Sequence, residues 1–401
     1  MQLNRLSFAT LIALGNYALA DDISLNMLYY HERGDRVSAV APYFSYNKED
    51  GTDSAWHVDG TFDVVSGATP TWTGDGASGA SADITTIKSN LRYENVTFND
   101  QRGAINTNFL TRDEDRNEYV IGGAFSKESD FQNLEGYGSL KGYFDEFHNT
   151  SYTFGLSVAY NYVGSLSDES DDTTSSASAK VSNNNEYTSM FILGEDEDDE
   201  SSSTTVSTRG GGQGALAINS SITQNINDRS VVSVGLFGGF EAGFLSNPHQ
   251  YIVRDFIVPY LDYDVRPSLR LSGGGTIKYN AALFDFLILN TSYRYYIDNW
   301  SIDSHTVNIG LMLEIGPFTI NPEMRYYNQS EAYFYTSGYV NHTAKYGSSD
   351  ERLSDFSSIT YLLNSYIQFT ETFRYNIGVN YFSQTTGLEG YFITTGVQIE
   401  L

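Results

Sequence analysis

The chain has 401 residues, no cysteine and a formal net charge of −27 at pH 7. The absence of cysteine excludes a disulfide framework, a thiolate metal site, a cysteine nucleophile and an N-terminal lipoprotein anchor. The negative charge excludes a nucleic-acid binder, which needs a basic face, and no apolar run reaches the roughly 18 residues of a membrane-spanning helix.

Residues 1–20 have the pattern of a secretory signal peptide. Arg5 provides the positive charge, residues 6–14 form a short apolar stretch, and residues 18–20 form an Ala-Leu-Ala cleavage site. The alternative is a buried N-terminal strand. The pattern predicts export across the inner membrane and a mature chain of residues 21–401.

The mature chain is rich in residues that favour strands. Tyr (31) and Phe (24) are abundant, and Pro (7), which removes a hydrogen bond from a strand ladder, is scarce. Sixteen segments of about 9 to 14 residues alternate in polarity, and this length suits a tilted strand that crosses a bilayer. The predicted strands are 23–31, 36–47, 54–65, 101–113, 117–127, 133–146, 150–163, 211–225, 229–243, 266–279, 285–298, 302–315, 318–330, 355–370, 372–384 and 389–401.

The segment 54–65 shows the alternation clearly. Trp56 and Phe62 lie on one face, whereas His57 and Asp63 lie on the other. One face in lipid and one in water would produce this pattern, although a soluble β-sandwich also has one buried face.

The lengths of the connections separate these two folds. Connections after even-numbered strands are short, and the long ones all follow odd-numbered strands: 66–100, 164–210, 244–265 and 331–354. Membrane barrels have short periplasmic turns and long external loops. The sequence therefore predicts an all-β fold, a transmembrane antiparallel up-and-down β-barrel of about 16 strands (about 14 to 18) in the bacterial outer membrane.

The long connections have the composition of external loops. Residues 164–208 are rich in Ser, Asp and Thr and contain the acidic run 195–200, so this loop is predicted to be disordered. Its carboxylates could attract divalent cations, either at a defined site or as diffuse counter-ions. Aromatic clusters near strand ends, including Trp300 and residues 333–335, are predicted to form the girdles at the membrane interfaces.

The C-terminal segment 389–401 alternates back from its last residue. This pattern resembles the signal that the outer-membrane barrel assembly machinery reads. The last residue is Leu401, where such signals usually end in Phe or Trp. The predicted partners are therefore outer-membrane lipid and this machinery, with no nucleic acid.

Several local motifs together resemble the domain of unknown function 3570 family. They are Gly34–Val37, Phe62–Pro70, Phe125–Phe131, Tyr293–Trp300 with His305, Arg325–Ser330 followed by Ala332–Phe334, and Ser349–Ser354. The ordered set covers nearly the whole mature chain, and the acidic insert 164–208 departs from it. The resemblance implies an exported outer-membrane barrel and supplies no activity.

Charged residues on the polar faces of strands are the candidate site. They are Arg102, Arg112, Arg294 and Arg325, with Asp63, Asp298 and Glu323 as possible partners. Opposed rows of arginines and acids in a lumen would sieve solutes by charge. The alternative is an ion-pair network that stiffens the wall. An unpaired charge facing lipid would cost about 2–4 kcal/mol at the midplane, so Arg294 and Arg325 are predicted to face the lumen, and the other residues of the set to lie in the lumen or at the rim.

The six histidines form no H-E-x-x-H or other close ligand pair, so the sequence predicts no metal site, no cofactor and no catalytic residue. His57 is predicted to line the lumen and His305 to lie near the outer rim. A Ser-His nucleophile formed by neighbouring strands is the alternative. The motif Ser66, Gly67, Ala68, Thr69 and Pro70 is predicted to form a turn after strand 54–65, or alternatively a constriction or partner contact.

Three functions fit these features. The first is a porin-like conduit for small hydrophilic solutes, with an acidic mouth that favours cations and no enzymatic activity. The second is a structural or partner-binding barrel with a closed lumen. The third is a membrane-embedded hydrolase.

Overall fold

The computed structural model describes residues 21–34, 36–73, 91–164 and 210–401. The predicted signal peptide and nearly all of the acidic loop 164–210 lie outside these ranges. Within the described ranges, no helix is long and apolar enough to cross a membrane.

Sixteen strands of the described chain close into one antiparallel barrel. Numbered in chain order together with three loop strands, they are β1 (Asp22–Glu32), β2 (Val37–Asp50), β3 (Ser54–Thr73), β4 (Arg92–Arg112), β5 (Glu118–Lys127), β6 (Phe131–Tyr143), β7 (Thr150–Val163), β8 (Gly211–Asn227), β9 (Ser230–Gly243), β12 (Leu269–Phe284), β13 (Leu287–Asp298), β14 (Asp303–Ile315), β15 (Phe318–Gln329), β17 (Phe356–Gln368), β18 (Phe373–Gln384) and β19 (Glu389–Glu400). The predicted fold and strand number are confirmed.

Each barrel strand pairs with its neighbours along the chain, and β1 pairs with β19 to close the ring. The outer face carries the large apolar residues. In β1, for example, Ile23, Leu25 and Met27 are exposed, and they alternate with inward-facing polar residues such as Asn26. An apolar outer face with a polar interior is the arrangement of a membrane barrel.

The two ends of the barrel differ in the length of their connections. Seven short turns lie at one end: 51–53, 113–117, 144–149, 228–229, 285–286, 316–317 and 369–372. The connections 244–268 and 330–355 lie at the other end, as do the last residue of β7 and the first residue of β8, as the order of short and long connections predicted. We call these the short-turn end and the long-loop end.

The hairpin formed by β3 and β4 extends beyond the barrel. Both strands continue well past the end of β2, because Val37 pairs with Gly67 and the next six residues of β3 pair only with β4 in the barrel sheet. The predicted turn at Ser66–Pro70 is therefore wrong, since these residues lie inside β3 and Pro70 pairs with Asn95. Beyond Gly67 the strand is an edge strand, where Pro is tolerated.

Gly67 lets the turn after β1 approach β3 closely. A Cβ at this position would overlap the carbonyl oxygen of Arg36, and the neighbouring Ala68 amide donates a hydrogen bond to that same oxygen. We expect Gly67→Ala to lower the free energy of unfolding by about 1–3 kcal/mol, because a backbone must move. Urea unfolding in lipid vesicles, followed by tryptophan fluorescence, measures this.

Gly103→Ala is the matched control for Gly67→Ala. Gly103 lies on the neighbouring strand β4, and a Cβ there would meet no atom within 4 Å. This variant should be as stable as the parent. Equal stability of the two variants would contradict the close approach at Gly67.

Two long loops fold into a small domain at the long-loop end. Residues 244–268 and 330–355, which we call the loop cap, contribute β10 (Tyr251–Arg254), β11 (Tyr260–Tyr263), β16 (Tyr339–Val340) and a 3₁₀ turn at Glu351–Leu353. The three strands form a sheet with β10 in the centre. The prediction that these segments are plain loops was incomplete.

The loop cap has its own hydrophobic core. Trp300, in the tight connection between β13 and β14, is only 3% exposed, and its ring packs edge-on against Phe334 at a centroid distance of 5.2 Å. Leu245, Ile302, Ala332 and Leu353 complete the cluster. Trp300 and Phe334 therefore do not belong to the predicted aromatic girdle, because tertiary packing buries them in the cap.

The loop cap reaches across the mouth of the barrel. Its two segments start from β9, β12, β15 and β17, which lie on the side of the ring away from β3. Yet the Tyr251 amide donates to Thr71 Oγ1 at 2.9 Å, and Gln250 Nε2 donates to the Pro70 carbonyl at 3.2 Å. On the same far side, Glu351 pairs with Arg36 at 3.5 Å. The cap is thus attached to both sides of the mouth.

Candidate functional site

Inward-facing polar residues of β1 to β6 form a hydrogen-bond network along one wall of the barrel. Asn47 donates to Asp22 at 3.0 Å and also contacts His57, whose Nε2 lies 2.9 Å from Asp59 Oδ2. Asn106 donates to Asp59 at 2.7 Å and completes this part of the network. Asp59 is only 5% exposed, so the network fills this side of the interior. His57 lies on the inward face, as part of the network.

Two of the predicted arginines are paired on the same wall. Arg102 forms an ion pair with Asp63 on the adjacent strand. Arg112, near the short-turn end, lies 3.5 Å from Glu118 and donates to the Thr52 carbonyl at 3.1 Å. The alternative prediction, an ion-pair network that stiffens the wall, therefore fits these two residues.

The other two predicted arginines lie on the opposite wall and have no such partners. Arg294 on β13 and Arg325 on β15 both face inward and are exposed, as is Glu323. No carboxylate in the described part of the chain lies within 4.0 Å of either guanidinium. The β13 strand is halfway around the ring from β3 and its Asp63. Solvent-accessible space in the interior therefore borders this wall.

Asp298, which the sequence suggested as a partner for these arginines, belongs to the rim instead. It accepts from Arg270 Nε at 2.8 Å and from the Tyr296 hydroxyl at 2.9 Å. Its other oxygen accepts from the backbone amides of Trp300 and Ile302. Asp298 therefore stabilises the connection between β13 and β14, against which the loop cap packs. Arg270 was missed because its strand register could not be read from the sequence.

A buried ion-pair cluster holds the two segments of the loop cap together. Arg266 donates to Asp264 at 2.7 Å and to Asp350 at 2.8 Å, and Arg352 contacts Asp350 as well. The Asp264 side chain is 0% exposed and those of Arg266 and Asp350 are 8% and 6% exposed. Burial alone would raise the pKa of Asp350, but the guanidiniums of Arg352 and Arg266 outweigh it and hold this pKa well below its usual value.

The lowered pKa of Asp350 gives the loop cap a defined pH dependence. Because the folded pKa lies below the unfolded value of about 3.9, the stabilisation is fully present above that value and is lost as the pH falls below it. We expect amide hydrogen-exchange protection in residues 244–268 to be constant between about pH 5 and pH 7 and to decrease below about pH 4. An Asp350→Asn variant should show weaker protection at pH 7 and lack this transition. An unchanged transition in that variant would exclude Asp350 as its origin.

Two of the histidines near the long-loop end, His305 and His31, contact hydroxyl groups. His305 faces outward between Tyr293 and Tyr295, with its Nδ1 2.7 Å from the Tyr293 hydroxyl. His31 Nδ1 lies 2.8 Å from Ser38 Oγ on the adjacent strand, which is a Ser-His pair. Within the described chain, no side chain is hydrogen-bonded to the other ring nitrogen of His31, so nothing orients the imidazole as an active triad requires.

Three carboxylates meet at the long-loop end near the turn after β5. Single oxygens of Asp100, Glu128 and Asp130 lie within 4.8 Å of one another. Oxygen ligands of this type suit Ca²⁺ or Mg²⁺. Asp130 also contacts His249 of the loop cap, and Asp100 accepts from Ser129 Oγ at 2.6 Å. The acidic run 195–200, the predicted cation-attracting segment, lies outside the described residues.

A closed antiparallel barrel with an apolar outer face, charged inward-facing side chains and long loops at one end is a β-barrel of the outer-membrane type. The chain belongs to the family described as "Protein of unknown function (DUF3570)", whose model matches residues 4–398. The family resemblance of the local motifs is thereby confirmed. No curated protein sequence matches the chain.

Solved structures with a similar fold are distant in sequence. The siderophore receptor PirA from Acinetobacter baumannii is 9% identical, with 91% of this chain and 53% of that chain covered and a TM-score of 0.42. The CymD monoaromatic hydrocarbon channel is 6% identical (95% and 88% covered, TM-score 0.41). A bacterial polysaccharide outer membrane secretin is 6% identical (95% and 98% covered, TM-score 0.48). The chain spans about half the length of the siderophore receptor, and these likenesses carry no argument about function.

Proposed function

We propose that the protein is a conduit of the bacterial outer membrane for small hydrophilic solutes. The observation that carries the proposal is the exposure of charged side chains that face the interior. Lys278, Arg294, Glu323 and Arg325 all lie on the inward faces of their strands and are exposed to solvent. Unpaired charges of this kind are stable only in contact with water, so a hydrated lumen supports passive diffusion.

As a conduit, the barrel has a defined orientation in the membrane and carries out no covalent chemistry. Residues 1–20 direct export, the last strand is read by the assembly machinery, and the short-turn end faces the periplasm. The acidic residues of the external loops, including the Asp100–Asp130 group, attract cations to the mouth. The loop cap narrows the mouth from the outside.

Single-channel conductance of the refolded mature protein in a planar bilayer tests the conduit. We expect steady conductance with a reversal potential that favours cations. Neutralising Arg294 and Arg325 together by Gln should increase the preference for cations, because it removes two positive charges from the lumen. Arg229→Gln, at an exposed short turn, is the matched control and should leave the reversal potential unchanged.

A second candidate is a closed barrel that binds a partner. The observation that favours it is the loop cap, which is attached to both sides of the mouth through Thr71, Glu351 and their partners. If a correctly folded barrel shows no conductance and a partner stays bound to its loops during purification, the partner-binding function replaces the conduit. The Ser38–His31 pair is the only support for a hydrolase among the described residues, and it lacks an orienting group.

A further inference from the structure

We propose that Arg294 and Arg325 form a binding subsite in the lumen for a small carboxylate-bearing solute. The inference deepens the proposed conduit function by naming a class of solute. The two residues lie on β13 and β15, separated by β14, where Arg294 pairs with Thr306 and Arg325 pairs with Asn308. Both side chains extend inward from the same wall, and their partners on β14 are two residues apart, on the same face of that strand.

Among the described residues, no acid on this wall forms an ion pair with these guanidiniums. Asp298 is the acid nearest along β13, but Arg270, Tyr296 and two backbone amides already occupy its oxygens. Glu323 shares a face with Arg325 but lies outside ion-pair distance. In a chain with 50 acidic and 23 basic residues, two neighbouring exposed cations that have no carboxylate partner in the described part of the chain are an unusual arrangement. An anion from solution would relieve their mutual repulsion.

An aromatic ring packs against the guanidinium of Arg294 and fixes its position. Its guanidinium carbon lies 4.4 Å from the centroid of Phe237, a cation–π contact. Phe237 can lie there because its pairing partner on β12 is Gly274, where any Cβ would overlap the ring. Neighbouring Tyr296 stacks on Phe237 at 6.4 Å. The guanidinium is therefore held with its donors free, and a planar guanidinium fork matches a carboxylate in geometry.

The subsite and the acidic mouth act at different depths. Arg294 and Arg325 lie near the middle of their strands, whereas the Asp100–Asp130 group lies at the rim. At physiological ionic strength the field of exposed charges is screened within about 8 Å. A mouth that favours cations is thus compatible with anion binding at the wall inside.

Equilibrium binding of succinate to the refolded mature barrel, followed by saturation-transfer NMR, tests the subsite. Succinate should bind and its uncharged analogue succinamide should not. Arg294→Gln and Arg325→Gln should each weaken binding by about tenfold or more, since each removes a charge-assisted hydrogen bond. Glu323→Gln should strengthen it by about threefold, because it removes a nearby negative charge at the same wall.

Arg374→Gln is the matched control. Arg374 also faces the interior and is exposed, but it lies on β18 near the short-turn end and donates to Gln368 at 2.8 Å. Its loss should leave succinate binding unchanged. The subsite is overturned if the parent does not bind succinate, or if the parent and Arg294→Gln bind it equally well. This experiment measures binding and not conductance. A barrel that binds succinate but does not conduct would therefore contradict the conduit and support the subsite.

Discussion

Replacing Arg266 by Met should unfold the loop cap while the barrel remains intact. Arg266 bridges Asp264 and Asp350, whose carboxylates are almost completely buried, and the more exposed Arg352 also pairs with Asp350. Removing one partner of a buried ion pair leaves an uncompensated charge, which costs about 3–5 kcal/mol. The barrel strands make none of these contacts, so the loss stays local.

Limited proteolysis and conductance measure the effect of Arg266→Met. Cleavage should begin within residues 244–268 and 330–355, while the heat-modifiable migration of the folded barrel persists. If the cap narrows the conduit, conductance should also rise. The control is Arg229→Met, which breaks an ion pair of the same 2.8 Å length between exposed side chains. That pair should be worth less than about 1 kcal/mol.

A further variant separates charge from packing at this cluster. Arg266→Met combined with Asp264→Asn and Asp350→Asn removes the uncompensated charges and should recover much of the protease resistance. If Arg266→Met alone is as resistant to proteolysis as the parent, the ion pairs do not hold the loop cap together. No recovery in the triple variant would assign the loss to packing of the Arg266 side chain.

Replacing Leu156 by Arg should destabilise the barrel in a bilayer by about 2–4 kcal/mol. Leu156 lies in the middle of β7 on the outer face and is 42% exposed in the absence of lipid. In a membrane this surface contacts hydrocarbon, where an arginine is costly. Unfolding by guanidinium chloride in lipid vesicles, measured by tryptophan fluorescence, gives the difference from the parent.

The adjacent residue provides the control for Leu156→Arg. Ser157 faces the interior, on the same inward face as Glu135 of the neighbouring strand β6. Ser157→Arg places the new charge beside that carboxylate and water, so its cost should be clearly smaller. A larger loss for Ser157→Arg than for Leu156→Arg would mean that the apolar face is not the lipid face.

The strands were predictable because their pattern is local. Segment 150–163 was predicted and is observed as β7 (Thr150–Val163), and 318–330 is observed as β15 (Phe318–Gln329). Side chains of successive residues point to opposite faces, so a barrel with lipid outside and water inside repeats every second residue. Turn signals were less reliable. The Ser66–Pro70 motif has the composition of a turn, yet it lies in an edge strand whose ladder tolerates Pro.

The candidate site was predictable only as a set of residues. The sequence predicted that Arg294 and Arg325 face the lumen and named Arg102 as a lumen or rim residue, and all three lie on the inward face. It could not tell that Arg102 is paired with Asp63 and the other two are not. Pairing depends on the register between strands, and a shift of one residue would exchange the faces. For the same reason the sequence offered Asp298 only as a possible partner of these arginines, whereas it pairs with Arg270.

The sequence by itself therefore determined the class of fold, the approximate number of strands, the two faces of the wall and the end that carries the long loops. These properties follow from the period of two and from the order of short and long connections, which are both local. Only the tertiary structure decided which charges are neutralised and that two loops fold into a cap. Those contacts join residues far apart in the chain, such as Arg266 with Asp350 and Arg36 with Glu351, because closure of the ring brings distant loops to one mouth.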